Sequence, residues 1–179
     1  MDLLRVDVRR RGGGRTIVGM SGFSHIGPDG TARMVDVGGK SVTERVAVAE
    51  AWVRVSPDLA RAIDENTLKK GNLLEVARLA GIQGAKRTAD LVPLCHPLAL
   101  DHADVKAVLV GERVHLVAEV RTHAKTGVEM EALTAAAVAA LTVIDMGKAV
   151  DKGMVVEGLR VLEKQGGRSG HYRAPELAP

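Results

Sequence analysis

A chain of 179 residues is long enough to bury a core of its own and fits one domain. Apolar residues at 46% exclude a disordered chain, and aromatic residues at only 2% argue against a single-stranded nucleic-acid binder, which needs stacking platforms. A formal net charge of +3 suits an anionic small molecule as well as RNA, and one cysteine excludes an internal disulfide framework and a multi-thiolate zinc site.

The lone cysteine fits a reducing compartment. No basic stretch leading into a hydrophobic core resembles a signal peptide, and the longest apolar run, Ala132 to Ile144, is too short and alanine-rich to cross a bilayer. A cytoplasmic protein with no membrane and no nucleic-acid partner is expected.

Residues 1–22 stand apart as a basic extension. Arg9-Arg10-Arg11-Gly12-Gly13-Gly14-Arg15 has no apolar face and reads as a flexible tail or a phosphate-binding arm, and Met20 is a plausible alternative start. One domain is expected over 23–170, with 171–179 as a tail. Arg45 to Val55 is rich in Val and Ala with period-2 features, which predicts a strand. Ser56-Pro57-Asp58 is an N-cap, a proline at the first helical position and an early acid, so a short helix runs to about Asn66. Asn72 with Glu75 starts a second helix, which Gly81 and Gly84 weaken but which is expected to reach Asp90.

Leu100 to Val110 and Arg113 to Arg121 are predicted strands joined at Gly111-Glu112, a two-residue hairpin turn. Val114, Leu116, Ala118 and Val120 share one face of the second. Val128 to Asp151 is the predicted long helix, ended by Gly153 as a left-handed C-cap, and Met154 to Lys164 alternates as a last strand. Without the short helix the order is β-α-β-β-α-β. That predicts an α+β, ferredoxin-like (split βαβ) fold: an antiparallel sheet with helices packed on one face. The fold by itself implies no function.

The clearest anomaly is Asp145, placed directly after Leu141-Thr142-Val143-Ile144. A carboxylate in so apolar a setting loses hydration, which raises its pKa unless something compensates. Lys148 lies one turn on, where side chains meet, and Lys152 about another turn on, near the expected helix end. The plain alternative is an exposed ion pair at a solvated helix end. Glu131 sits within roughly 40° of Asp145 around the helix but roughly 21 Å away along its axis. One small substrate does not bridge both within a subunit. Either they do separate jobs, or an antiparallel partner helix brings one subunit's start beside another's end, which predicts an oligomer with interfacial sites.

Pro93-Leu94-Cys95-His96-Pro97 is a second unusual stretch, with two prolines expected to hold Leu94 to His96 extended. Cys95 beside His96 suggests a thiol nucleophile, but neighbours on an extended chain point opposite ways, and a structural cysteine is the better reading. His96 in a fixed loop can titrate near neutrality. It has no histidine partner at a metal-like spacing, so no metal site is expected. Lys69-Lys70, Lys86-Arg87 and the run from Lys164 to Arg168 add cations beside turns, where backbone N–H groups can cradle phosphate, though none matches a Walker A pattern.

These motifs together carry a resemblance. MVDVGGKSVTERVAVA, KGNLLEVARLAGIQGAKRTADLVPLCHPL, KTGVEMEALTAAAVAALTVIDMGKAVDKGM and EKQGGRSG, in that order, resemble the MoaC family, the cyclic pyranopterin monophosphate synthases of molybdenum-cofactor biosynthesis. The resemblance runs from about Ser24 to Gly170. It implies conversion of 3′,8-cyclo-7,8-dihydro-GTP to cyclic pyranopterin monophosphate with loss of pyrophosphate, chemistry that needs proton-moving groups and cations for the departing anion. By resemblance Asp145 is the catalytic acid or base and Lys148 its partner. Leu94, Cys95, His96, Met130 and Glu131 line the substrate pocket. Glu129 or Glu131 suits guanine-type N–H donors. Arg45, Lys70, Lys86 and Lys164 are assigned to the phosphates. A homohexamer, built as a trimer of dimers with sites between subunits, is implied. No resident cofactor is implied, and whether Mg²⁺ accompanies the triphosphate or pyrophosphate stays open. A non-catalytic ferredoxin-like nucleotide-binding module is the alternative. One departure stands out, the long extension before Met20, and Gly147, between Asp145 and Lys148, is expected to loosen the helix at the catalytic turn.

Overall fold

The structure is a computed structural model that describes residues 31–168 and 170–176. The chain divides into two compact units, Met1–Arg33 and Met34–Pro179. Of the first, only residues 31–33 are described, so the basic extension over 1–22 and Met20 lie outside the described residues.

In the second unit, strand β1 (Thr43–Arg54) leads through Ser56 into helix α1 (Pro57–Asp64), where the Ser56 Oγ accepts from the Leu59 N–H. Helix α1 closes at Glu65, and Asn66 turns left-handed at φ 51, a conformation asparagine tolerates. Asn72 caps helix α2 (Leu73–Ala85) by accepting from the Glu75 N–H at 3.0 Å. The expectation of one helix as far as Asp90 is corrected: α2 stops at Ala85, and a separate turn of helix, α3 (Thr88–Leu91), follows after Lys86 and Arg87. The Thr88 hydroxyl donates back to the Ala85 carbonyl at 3.0 Å, filling an acceptor left open at the helix end.

Strands β2 (His102–Val110) and β3 (Arg113–Ala124) form the expected hairpin, with Val110 opposite Arg113. Gly111 is left-handed at φ 58 and Glu112 is not, which is the pattern of a turn with glycine at its first central position. Helix α4 (Glu129–Gly147) crosses back, and strands β4 (Val155–Gln165) and β5 (Tyr172–Arg173) complete a five-stranded sheet in the order β2-β3-β1-β4-β5, every pairing antiparallel. This is the ferredoxin-like arrangement, with a two-residue edge strand added. Gly153 does not end α4. The helix stops at Gly147, whose carbonyl accepts from both Val150 and Asp151, and the Lys148 cap stays right-handed. Asp151 is recruited elsewhere, accepting from the Ser56 N–H and the Gly153 N–H, each at 2.7 Å.

The core is built of small side chains, as the composition requires. Ala47, Ala49, Ala51 and Val53 of β1, Val114, Leu116, Ala118 and Val120 of β3, and Ala132, Ala135, Ala136, Ala139 and Val143 of α4 are buried together. Helix α4 has the length and apolarity of a membrane span, but ten of its residues are buried, seven of them in this core. Gly81 and Gly84 are contact points rather than weaknesses. A Cβ on Gly81 would stand 2.9 Å from the Ala135 carbonyl oxygen, and one on Gly84 would stand 2.9 Å from Val138. On the opposite face of β1, Glu50 is only 6% exposed yet receives Arg160 Nε and His115 Nε2, each at 2.8 Å, and Trp52 Nε1 at 3.2 Å. Burial pushes its carboxyl up, but these donors, Arg160 foremost, outweigh it and hold the group below the usual range.

Candidate active site

Helix α4 places the predicted acids at its two ends. At the C-terminal end Asp145 is exposed, not buried, because its position on the helix looks away from the sheet. Lys148 Nζ donates to its Oδ1 at 2.7 Å, one turn on as the spacing predicts. Lys70, from the loop before α2, donates to Oδ2 at 3.0 Å and to the Asp145 backbone carbonyl at 2.7 Å. The expected upward pKa shift is therefore reversed: Lys148 and then Lys70 hold the Asp145 carboxyl at about 2. Lys70 stands on this carboxylate rather than with Arg45 and Lys164. Gly147 does not loosen the turn: it is buried, and a Cβ there would meet Leu59 Cδ2 at 2.6 Å and Met154 Sδ at 3.2 Å. Lys152 lies beyond the helix end.

At the other end of α4 a cavity of about 540 Å³ opens between the start of β1, the loop before α4 and the end of β4. Arg45, Lys164 and Glu129 line it together, with Lys40, Lys125 and Arg168, which the sequence reading had not singled out individually. Five cations thus face one carboxylate. Lys125 also donates to the Gly38 carbonyl at 2.7 Å, which ties the 36–41 turn to this wall. Arg45 is packed under Gly166 and Gly167, both left-handed, at φ 95 and 74. Its Nε is buried and has no hydrogen-bond partner among the described residues. Gly127 leaves room for the Glu129 carboxylate to fold back, since the Glu129 Cδ lies 2.8 Å from where a Cβ would stand.

Glu131 points elsewhere. It is 4% exposed and lines a second cavity of about 100 Å³ with Lys86, Thr88, Pro97 and Leu98. Burial first, and the charge of Glu129 second, push its carboxyl to about 7. Cys95 lies near enough for the Glu131 charge to act on it: burial, then Glu131, raise the thiol above its ordinary value, which disfavours a thiolate nucleophile. The segment from Leu94 to His96 is not wholly extended. The Cys95 N–H donates to the Val92 carbonyl at 3.0 Å, closing a turn with Pro93 second, a place that proline's fixed φ favours. Leu94 and Cys95 are half-buried, and His96 Nε2 meets the Val35 carbonyl at 2.9 Å as a donor, leaving Nδ1 unengaged by that contact. Met130 is 39% exposed at the start of α4.

Nine of the predicted residues therefore fall into three groups in one chain: Asp145 with Lys148 and Lys70; Arg45 with Lys164 and Glu129; and Glu131 with Lys86 and Cys95, while Leu94, His96 and Met130 line neither cavity. The unbroken α4 keeps Glu131 and Asp145 roughly 21 Å apart. Among the described residues no three His, Cys, Asp or Glu side chains converge as a metal would need.

The model of the MoaC family matches residues 34–167. The cyclic pyranopterin monophosphate synthase of Novosphingobium aromaticivorans is 51% identical over 157 residues, which cover 88% of this chain and 100% of that protein. Matches of that extent span every residue group described above, and the chain belongs to the MoaC family.

Proposed function

We propose that this chain is a cyclic pyranopterin monophosphate synthase of molybdenum-cofactor biosynthesis. It converts 3′,8-cyclo-7,8-dihydro-GTP to cyclic pyranopterin monophosphate and releases pyrophosphate. The end-to-end likeness to a protein of that name supports the activity. The observation that carries the chemistry is an exposed carboxylate gripped by two ammonium groups, Asp145 with Lys148 and Lys70.

With its carboxyl held near 2, Asp145 is ionised at working pH and accepts from two amines that stand ready as proton donors. When one amine gives its proton to the rearranging rings, Asp145 loses a stabilising partner, becomes a stronger base and can take up a proton that the rings release, which it then passes back to the amine. The cation-lined cavity suits the polyphosphate end. Arg45 and Lys164 meet the phosphates there, helped by Lys125 and Arg168, and Glu129 gives the cavity one acceptor for a substrate N–H. Glu131, Lys86, Leu94, Cys95, His96 and Met130 form the adjoining wall in this reading. No resident cofactor is invoked, and Mg²⁺ enters, if at all, as part of the triphosphate.

The roughly 21 Å along α4 separates the acid pair from the cation cavity, so one subunit's Asp145 serves a cavity belonging to another. A cytoplasmic homohexamer, a trimer of dimers, satisfies this. The exposed Leu79 and Leu141, at 53% and 62%, support burial between copies. Asp145→Asn and Asp145→Ala are expected to abolish pyrophosphate release, by at least about a hundredfold, while circular dichroism and assembly size stay those of the parent. Undiminished turnover would instead favour a non-catalytic nucleotide-binding module.

A further inference from the structure

Strand β4 ends at the cavity with Gln165, but the sheet continues past it. After Gln165 the chain reverses through Gly166 and Gly167 and returns as β5, which pairs antiparallel with Glu163 and Lys164. The cavity wall from Lys164 to Arg168 is thus the near side of a hairpin whose returning strand is two residues long. Two ladder residues are too few to hold such a loop.

What closes it is one carboxylate. Glu163 Oε1 accepts from Gln165 Nε2 at 2.6 Å and from His171 Nε2 at 2.8 Å, and Oε2 lies 3.9 Å from the Arg173 guanidinium. Gln165 stands just before the reversal, and His171 and Arg173 just after it, so Glu163 ties the two ends of the loop together. Glu163 itself does not line the cavity. The returning segment is fastened twice more: Ala174 N–H donates to the Leu162 carbonyl at 2.7 Å, and Arg160 donates to the Pro175 carbonyl at 3.0 Å. Arg160 is in turn held by the buried Glu50 at 2.8 Å, which roots the segment in the sheet. All of β5 lies beyond residue 167, where the family match ends.

We propose that Glu163 is a positioning residue, a clasp that acts with β5 across the base of the loop and sets Lys164 and Arg168 for the polyphosphate end of the substrate. This rests on the reading that the cavity takes the phosphates. With the clasp broken, the loop must be ordered at each binding event, which weakens binding and leaves the chemistry at Asp145 unchanged.

The test is steady-state kinetics on the assembled enzyme. The forms compared are the parent, full-length Glu163→Ala, full-length His171→Ala, a chain ending at Gly170, and Lys164→Ala as reference, with inorganic pyrophosphate as competing ligand. The expected result is a rise of about tenfold in both KM and the pyrophosphate inhibition constant for Glu163→Ala and the shortened chain, with kcat within about twofold. Glu163→Gln, which keeps one accepting oxygen, falls between. Should Glu163→Ala fail to assemble, the same rise in His171→Ala and the shortened chain decides the matter. If KM and inhibition hold at parental values while Lys164→Ala raises both, the clasp is refuted and the cavity reading stands. If Lys164→Ala also changes nothing, the cavity does not take phosphates, and the clasp falls with that reading. A loss confined to kcat overturns the clasp as well.

Discussion

Lys148 and then Lys70 hold the Asp145 carboxyl at about 2, whereas burial and the charge of Glu129 carry Glu131, on the same helix, to about 7. The two acids therefore respond to different pH ranges. Asp145 is depressed, so its contribution to stability is present above its ordinary 3.8 and is lost only as the pH falls through about 2. Glu131 is raised, so the folded chain binds more protons than the unfolded chain between 4.5 and about 7, and stability falls as the pH rises through that window. Urea unfolding of Glu131→Gln is expected to show a gain of about 1–3 kcal/mol over the parent at pH 8, shrinking to nothing near pH 4.5. As part of the wall proposed to face the substrate, Glu131 is a second acceptor beside Glu129 and serves a substrate N–H best when ionised, so the parental KM should fall as pH rises through about 7, and this dependence should vanish in Glu131→Gln. The Asp145–Lys148 contact was legible from the i,i+3 spacing. Lys70 was not, since 75 residues of chain separate it from Asp145. Nor was the exposure of Asp145: of the run directly before it only Val143 is buried, and Asp145 shares the open side of α4 with Leu141.

At the scale of elements, glycine carries the largest difference between local and tertiary demands. In α2, Gly81 is unfavourable by helix propensity, and alanine would gain about 1 kcal/mol there in an isolated helix. Against α4 the sign reverses, because the added Cβ would lie 2.9 Å from the Ala135 carbonyl, a backbone atom with little freedom to withdraw. Gly81→Ala should destabilise the protein by about 1–3 kcal/mol, read as a lower urea midpoint with an unchanged slope. The break after Ala85 and the early end of α4 both come with hydrogen bonds that replace the helical ladder. At Thr88 the bond is local, back to Ala85, and at Asp151 it is tertiary, from Ser56. A periodic apolar pattern has no term for such bonds, so it ran both helices too long.

At the scale of the molecule, the distance along α4 is a prediction in itself. A mixed assembly of Asp145→Ala and Glu131→Ala, each first verified as inactive by itself, should regain roughly a quarter of parental turnover after co-refolding, the chance that a shared site draws an intact residue from each chain. No recovery would place each whole site within one subunit. Light scattering should give six times the 18.9 kDa chain mass.

Alternation, capping residues and turn glycines determined the strands, the helix starts and the order β-α-β-β-α-β, because these signals act over a few residues and hydrophobic burial follows them. The ordered motifs likewise determined the family. Tertiary structure alone decided which charges meet: Lys70 with Asp145, Lys125 with the cavity wall, Arg160 with Glu50, Glu163 with His171. Such pairings depend on how strands and helices are laid beside one another, and a side chain's neighbours across a sheet or between loops are set by that packing rather than by its place in the chain. For Asp145 and Lys148, the pair was written in the helix spacing; its exposure, its third partner and its distance from the cation-lined cavity came from the fold.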